Sequence, residues 1–167
     1  MCKFKMKGIY TVDHLYHVCN YIIRPDKCEK GYIGATNACL PIDRRYMSAG
    51  IYNNLMNVAK FYNQEHTRLG LHIIISFAPS ECNHLDRSKV LRLAYQFAEQ
   101  EFPNYMTFFA VHDLTEQIHF HMIVSCVMLG SGKKFGIDSR GERAIGHKFV
   151  DLMKQFVPEE DIVPILF

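Results

Sequence analysis

Apolar and polar residues alternate in several short segments of the chain and recur every three or four residues in others. Alternation is typical of a half-buried β-strand, and the longer interval is typical of a helix with one buried face. The predicted strands are 3–10, 71–77, 105–112 and 118–127, with a further short strand around 32–33. The predicted helices are 11–23, 43–64, a third that ends near 102 and a fourth over 143–156.

Residues at the ends of these segments support the predicted bounds. Pro25 stops the first helix, because the residue before a proline disfavours the α region. Asp86 or Ser88 is suited to cap the third helix. Residues 28–41 are predicted to be largely irregular, and residues 130–141 form a glycine-rich, basic loop.

The order of these elements determines the expected fold class. Only a short polar link joins the strands 105–112 and 118–127, so the two must pair antiparallel. Helical segments separate the other strands. The pattern therefore predicts an α+β fold with a central antiparallel β-sheet of about five strands, flanked by helices.

Composition narrows the class of protein. The chain has 167 residues, of which 49% are hydrophobic and 22% charged, as in an ordinary globular domain. No apolar run is long enough for a membrane span or a secretory signal, and the six cysteines are scattered, so we expect reduced thiols and a cytoplasmic location. The net charge of +2 does not indicate nucleic-acid binding, but Lys3, Lys5 and Lys7 would make one face of the first strand basic.

Three histidines carry the clearest chemical signal. His119 and His121 are two apart in a predicted strand, so both imidazoles point to one face, and His112 ends the preceding strand. A hairpin would bring all three together as a metal site with open coordination positions. Acidic and amide groups in the link could orient the imidazole N–H groups: Asp113, Glu116 and Gln117. The remaining histidines are not assigned as ligands: His14, His17, His66, His72, His84 and His147.

A tyrosine on the first helix is a candidate nucleophile. Tyr21 shares one flank of that helix with His14 and His17, and cations follow it at Arg24 and Lys27. Nearby cations help to deprotonate a phenol, which is otherwise a poor nucleophile at neutral pH. Neither a G-x-S-x-G nor an H-E-x-x-H motif is present.

Four segments together resemble a known family. The run from Val111 to Ser125 contains a histidine, a hydrophobic residue and a second histidine at 119–121. It is similar to the third motif of relaxases of the MobA/VirD2 type, which are HUH endonucleases. The Gly-Lys-Lys-Phe sequence at 132–135, the strand at 71–77 and the tyrosine motif at 20–27 also resemble that family, in the same order. The resemblance implies the HUH relaxase fold for a single nuclease domain over residues 1–167, either alone or as the N-terminal part of a longer protein.

The resemblance also implies an activity. Tyr21 would attack one phosphodiester at an origin of transfer, leaving a 5′-phosphotyrosyl enzyme that can religate the strand, and a histidine nucleophile, His14 or His17, is the alternative. Asp113 would be the second catalytic residue, and His112, His119 and His121 would hold a divalent metal. The family uses Mg²⁺ or Mn²⁺, whereas imidazole ligands alone would also suit Zn²⁺ or Ni²⁺. The expected DNA contacts are Arg24, Lys27, Lys133, Lys134 and Phe135.

The family also implies partners and alternatives. The partners would be single-stranded origin DNA, relaxosome accessory proteins and a coupling protein, in a bacterial cytoplasm from which the enzyme is transferred with the DNA. A rolling-circle replication initiator or HUH transposase is one alternative, but its tyrosine usually follows the histidines, and here no tyrosine follows Val124. The other alternative is a non-enzymatic metal- or nucleic-acid-binding α+β module.

Overall fold

The computed structural model of the chain describes residues 3–113 and 117–167. Its strands are β1 (Lys3–Ile9), β2 (Ile33–Thr36), β3 (Gly70–Ser76), β4 (Thr107–His112) and β5 (His119–Ser125). Its helices are α1 (Val12–Ile22), α2 (Arg44–Phe61), α3 (Pro79–Cys82), α4 (Arg87–Glu101) and α5 (Ser139–Met153), with 3₁₀ turns at Lys30–Tyr32 and Glu159–Asp161. No helix in the described ranges combines the length and apolar character that a membrane span needs.

The five strands form one sheet in the order β1-β3-β5-β4-β2, and every neighbouring pair is antiparallel. The predicted α+β class, with about five antiparallel strands and flanking helices, is confirmed. In the register of β4 and β5, His112 lies opposite His119, and Ala110 lies opposite His121. Directly opposite residues point to the same face, so the three histidines share one face of the sheet.

Helices cover the two faces of the sheet unequally. On one face, α4 and α5 close a core that includes Phe97, Phe120 and Phe149. On the other face, α1 and α2 pack over Phe108 and Ile123. This second face also carries the histidines, which therefore continue an apolar surface beneath α1.

Helix α1 forms where the sequence predicted it. The Thr11 side chain accepts a hydrogen bond from the backbone N–H of His14 and so caps the first turn. Its buried side chains recur at helical spacing: Leu15, Val18, Cys19 and Ile22. The helix ends at Ile22, as predicted from Pro25, and this end delivers Tyr21 to the sheet.

Some predicted bounds were wrong. The last helix begins at Ser139 and ends at Met153, rather than covering 143–156, because the Asp138 side chain caps it by accepting from the N–H of Gly141. The glycine-rich loop is correspondingly shorter. The short helix α3 was not predicted, and the strand expected around 32–33 is β2, at Ile33–Thr36.

Candidate metal centre and nucleophile

The side chains of His112, His119 and His121 converge at the end of the β4–β5 pair. One ring nitrogen from each lies within 4.8 Å of the others. The ring centroids of His112 and His121 are 4.4 Å apart, and each is 5.1 Å from that of His119. His112 and His121 are buried and His119 is half-buried, so the cluster has one open side.

Hydrogen bonds to backbone carbonyls determine which nitrogen of two rings is available. Nε2 of His112 is 2.9 Å from the carbonyl oxygen of Ile22, and Nδ1 of His119 is 2.8 Å from that of Gln117. A carbonyl only accepts, so both nitrogens carry a proton and donate. The lone pairs therefore lie on Nδ1 of His112 and Nε2 of His119.

Two buried ring nitrogens lack a partner. Nδ1 of His112 and Nε2 of His121 make no hydrogen bond within the described residues. A buried polar atom without a partner is uncommon and calls for an unseen ligand or a functional role. Three imidazoles with free lone pairs fit a divalent transition metal, and three protein ligands leave coordination positions open for a substrate.

Burial keeps the imidazoles of His112 and His121 uncharged. Loss of hydration lowers the pKa of His112 to about 4, opposed by its hydrogen bond to Ile22 and reinforced by the charges of His119 and Lys27. Burial, and then the neighbouring imidazoles, lower the pKa of His121 to about 2. Metal ligation requires neutral imidazole, so no proton competes for these two nitrogens at neutral pH.

Tyr21 lies directly beside the cluster. Its ring centroid is 5.2 Å from that of His121 and 5.7 Å from that of His112. The hydrogen bond from His112 to the carbonyl of Ile22 joins the end of α1 to the histidines. Tyr21 remains 39% exposed, so its side chain is accessible from solvent.

The other tyrosine of α1 and its histidines lie elsewhere. Tyr16 stacks edge-on against His17 and Tyr52, and it is half-exposed. His14 and His17 are exposed and make no ring contact with the cluster in the described part of the chain. Among these candidates, the structure brings only Tyr21 to the three histidines.

The carboxylate of Asp113 contacts a cation rather than a histidine. Its Oδ2 is 3.3 Å from Nη1 of Arg87, which also pairs with Glu29 at 2.7 Å. Its Oδ1 is buried and has no hydrogen-bond partner in the described ranges. The catalytic role predicted for Asp113 stays a prediction, and Glu116 lies outside the described residues.

The predicted DNA contacts fall into two groups. Arg24 forms a bidentate ion pair with Asp26 and lines a cavity of about 450 Å³ between the ends of α1 and α2. Lys27 is half-buried, and its charge acts on His112. Both therefore lie on the Tyr21 side of the site.

The second group lies beyond the opposite end of β5. The backbone of Lys134 bridges to Val127, and its ammonium donates to the carbonyl of Arg68. The ring of Phe135 packs against Phe102 and Tyr105 in the core under α4 and α5. Lys133 is exposed. The structure does not bring these three residues to the histidines.

Sequence reasoning missed one neighbour of the cluster, His72. Its Nε2 is 2.9 Å from Nδ1 of His121, and both rings are buried. His72 is one polar residue in an apolar strand and was set aside with the other unassigned histidines. Strand alternation places His72 on the same face as Ile74 and Ser76, but only the pairing of β3 with β5 brings it beside His121.

Comparisons with known proteins were made at the level of sequence, solved structure and family. No curated protein sequence matches the chain. A structure on the molecular basis of vancomycin resistance transfer in Staphylococcus aureus is similar at 15% identity and a TM-score of 0.65, covering 99% of this chain and 97% of that chain. The MobM relaxase domain (MOBV), Mn-bound and in complex with oriT DNA of plasmid pMV158, is similar at 14% identity and a TM-score of 0.61, covering 92% and 85%.

At these identities the solved structures show a shared fold. The family comparison goes further, because the model of the relaxase nuclease domain, MobA/VirD2-like, matches residues 21–156. The match begins at Tyr21 and includes all three histidines of the cluster. The resemblance found in the sequence is therefore confirmed, and the chain belongs to the MobA/VirD2-like relaxase family.

Proposed function

We propose that this relaxase domain nicks one DNA strand at the origin of transfer of a plasmid or conjugative element, with Tyr21 as the nucleophile. The contact of the Tyr21 ring with two histidines whose free ring nitrogens are buried is the observation that carries the proposal. A nucleophile is useful only where the phosphate it attacks is also held and polarised.

The proposed reaction is a transesterification. The phenol oxygen of Tyr21 bonds to the scissile phosphorus, and the bond from phosphorus to the 3′ oxygen breaks. The phenol proton would pass to a base, for which Asp113 is the candidate, and the 3′ oxygen takes up a proton to become a free hydroxyl. One phosphodiester replaces another, so attack by a 3′ hydroxyl on the 5′-phosphotyrosyl bond reverses the step and rejoins the strand.

The residues present suit a divalent cation. His112 through Nδ1, and His119 and His121 through Nε2, would hold it. Such an ion would polarise a phosphoryl oxygen of the substrate and stabilise the charge that develops there. We propose Mn²⁺ or Mg²⁺ in function, supported by the Mn-bound MobM structures, while imidazole ligands also accommodate Zn²⁺ or Ni²⁺.

Charged side chains near Tyr21 have supporting roles in this proposal. Arg24 is close enough for its charge and that of a Tyr21 phenolate to attract each other. With Lys27 it would hold the DNA backbone near the scissile phosphate. Asp113, through its unpartnered Oδ1, would handle a proton or orient the site.

The proposed substrate is a length of DNA rather than one phosphate. Exposed Lys133 would contact the single strand further from the nick, and Lys134 and Phe135, held by Arg68 and by the core, would fix the loop that carries it. Origin DNA of the chain's own element, relaxosome accessory proteins and a coupling protein are the proposed partners. The proposed setting is a bacterial cytoplasm from which the enzyme is transferred with the strand.

Covalent capture of DNA tests the proposal. Single-stranded oligonucleotides tiling the DNA around the gene are incubated with the protein and Mn²⁺, and denaturing gels report a protein–DNA adduct. We expect an adduct with one oligonucleotide, its loss in Tyr21→Phe and in EDTA, and its retention in Tyr16→Phe, a matched change on the same helix. A folded, Mn²⁺-binding protein that forms no adduct with any tile would instead indicate a non-enzymatic module.

A further inference from the structure

His72 is placed to act on one ligand of the cluster without being a ligand itself. It lies on β3, two residues from Ile74, which is opposite His121 in the sheet, so both imidazoles are on the same face. The two rings stack at 5.1 Å and 28°, and Nε2 of His72 is 2.9 Å from Nδ1 of His121. His72 is only 8% exposed, so water does not replace it easily as a partner.

The direction of this hydrogen bond is not fixed by the partner alone. For His112 and His119 the partner is a carbonyl, which only accepts. Between two imidazoles, either ring can donate. If His72 donated, neutral His121 would carry its own proton on Nε2, which is buried and has no acceptor in the described residues.

That arrangement is unfavourable for two reasons. A buried N–H without an acceptor costs the full desolvation of the donor, and orphaned N–H groups are rarer than under-satisfied acceptors. It would also place a proton on the nitrogen that faces His112 and His119. The opposite direction removes both problems, because His121 then donates from Nδ1 and its Nε2 lone pair faces the cluster.

We propose that His72 is a positioning residue that accepts the Nδ1 proton of His121 and thereby directs the Nε2 lone pair of His121 at the metal. The inference rests on the metal centre of the proposed function. With this hydrogen bond, all three metal ligands are oriented in the same way. Each donates the N–H of its non-ligating ring nitrogen to a neutral acceptor. Two acceptors are backbone carbonyls, and the third is the Nε2 atom of His72, whose own proton then resides on Nδ1.

The tautomers can be observed directly. Long-range ¹H–¹⁵N NMR spectra of the metal-free protein, with ¹⁵N-labelled histidine at neutral pH, distinguish Nδ1–H from Nε2–H rings. We expect His121 and His72 both to be Nδ1–H, with the signals assigned from the spectra of His121→Asn and His72→Gln. A His121 ring protonated on Nε2 would overturn the proposal.

Metal affinity provides a second readout, measured by titration calorimetry with Mn²⁺ alone. His72→Gln keeps an oxygen acceptor at similar reach and should bind Mn²⁺ within about threefold of the parent, while His72→Leu should lose about 10- to 100-fold. His66→Leu, a change at an exposed histidine, should have no effect. Thermal unfolding of each variant verifies that the protein is folded.

The comparison of the two His72 variants separates positioning from packing. Equal losses in His72→Gln and His72→Leu, or undiminished affinity in His72→Leu, would contradict the proposal. Neither readout contains DNA, so a failure of the covalent-capture experiment leaves this inference standing. Conversely, if NMR shows His121 as the Nε2–H tautomer and the protein still forms the DNA adduct, the inference is wrong and the proposed function stands.

Discussion

At the scale of single residues, burial gives the imidazoles of the site an unusual response to acid. The pKa of His121 is lowered to about 2 and that of His72 to about 4, in both cases first by burial and then by neighbouring positive or titratable groups. In the unfolded chain these side chains return to a pKa near 6.5. Below about pH 6.5 the unfolded chain therefore binds protons on these two histidines that the folded protein does not bind. Protonation of these histidines favours unfolding.

This difference predicts the pH dependence of stability. Between about pH 6.5 and pH 4 the unfolded chain binds more protons, so the free energy of unfolding falls as the pH falls, by at most about 1.4 kcal/mol per pH unit for each such histidine. Urea denaturation of the metal-free protein between pH 7 and pH 5 measures the slope. His121→Asn should reduce it, and His66→Asn, at an exposed position, should not. Equal slopes in all three proteins would show that His121 is protonated in the fold.

At the scale of elements, the sequence was informative wherever the signal is local. The alternation around His119 and His121 predicted both the strand and the shared face, because side-chain direction in a strand repeats every two residues. The start of α5 was predicted four residues too far along the chain. Gly141 was assigned to the loop, but the Asp138 side chain caps the helix, which begins at Ser139. The partnership of His72 with His121 was unpredictable, because it depends on β3 lying beside β5 rather than on any neighbouring residue.

A glycine in β2 illustrates how packing constrains an edge strand. Gly34 lies opposite Phe109, and a Cβ atom added there would lie 2.4 Å from the Phe109 ring and 2.7 Å from the Tyr95 hydroxyl. Gly34→Ala should therefore destabilise the fold by about 1–3 kcal/mol, the usual cost of overpacking. Gly31→Ala, where nothing lies within 4 Å, should be neutral or stabilising by up to about 1 kcal/mol. Denaturant titration compares the two, and a stable Gly34→Ala would mean that Phe109 and Tyr95 move aside at little cost.

At the scale of the whole molecule, the unequal cover of the sheet leaves a basic surface beside the site. Lys3, Lys5 and Lys7 are exposed and, by the register of β1 with β3, point to the same face as the histidines. Ser76 lies opposite Lys3 on one side and opposite His119 on the other, and both Ser76 and His119 are half-buried. A cationic strip thus runs from the sheet edge towards the open side of the cluster. In the proposed function, this strip is a path for a single strand whose scissile phosphate reaches Tyr21.

Salt dependence of DNA binding tests whether that path is used. Each lysine that neutralises a phosphate of a single strand adds about 0.7 to the slope of log affinity against log salt concentration, because counterions are released. The double variant Lys5→Gln, Lys7→Gln should therefore bind an oligonucleotide more weakly and lower the slope by about 1.4. The matched control is Lys148→Gln with Lys154→Gln, an exposed cation on α5 and one at its C-cap, because α5 covers the other face. Fluorescence anisotropy at several salt concentrations gives both quantities. If the two double variants lowered the slope equally, the lysines of β1 would act only through net charge, and the strand would have to approach Tyr21 by another route.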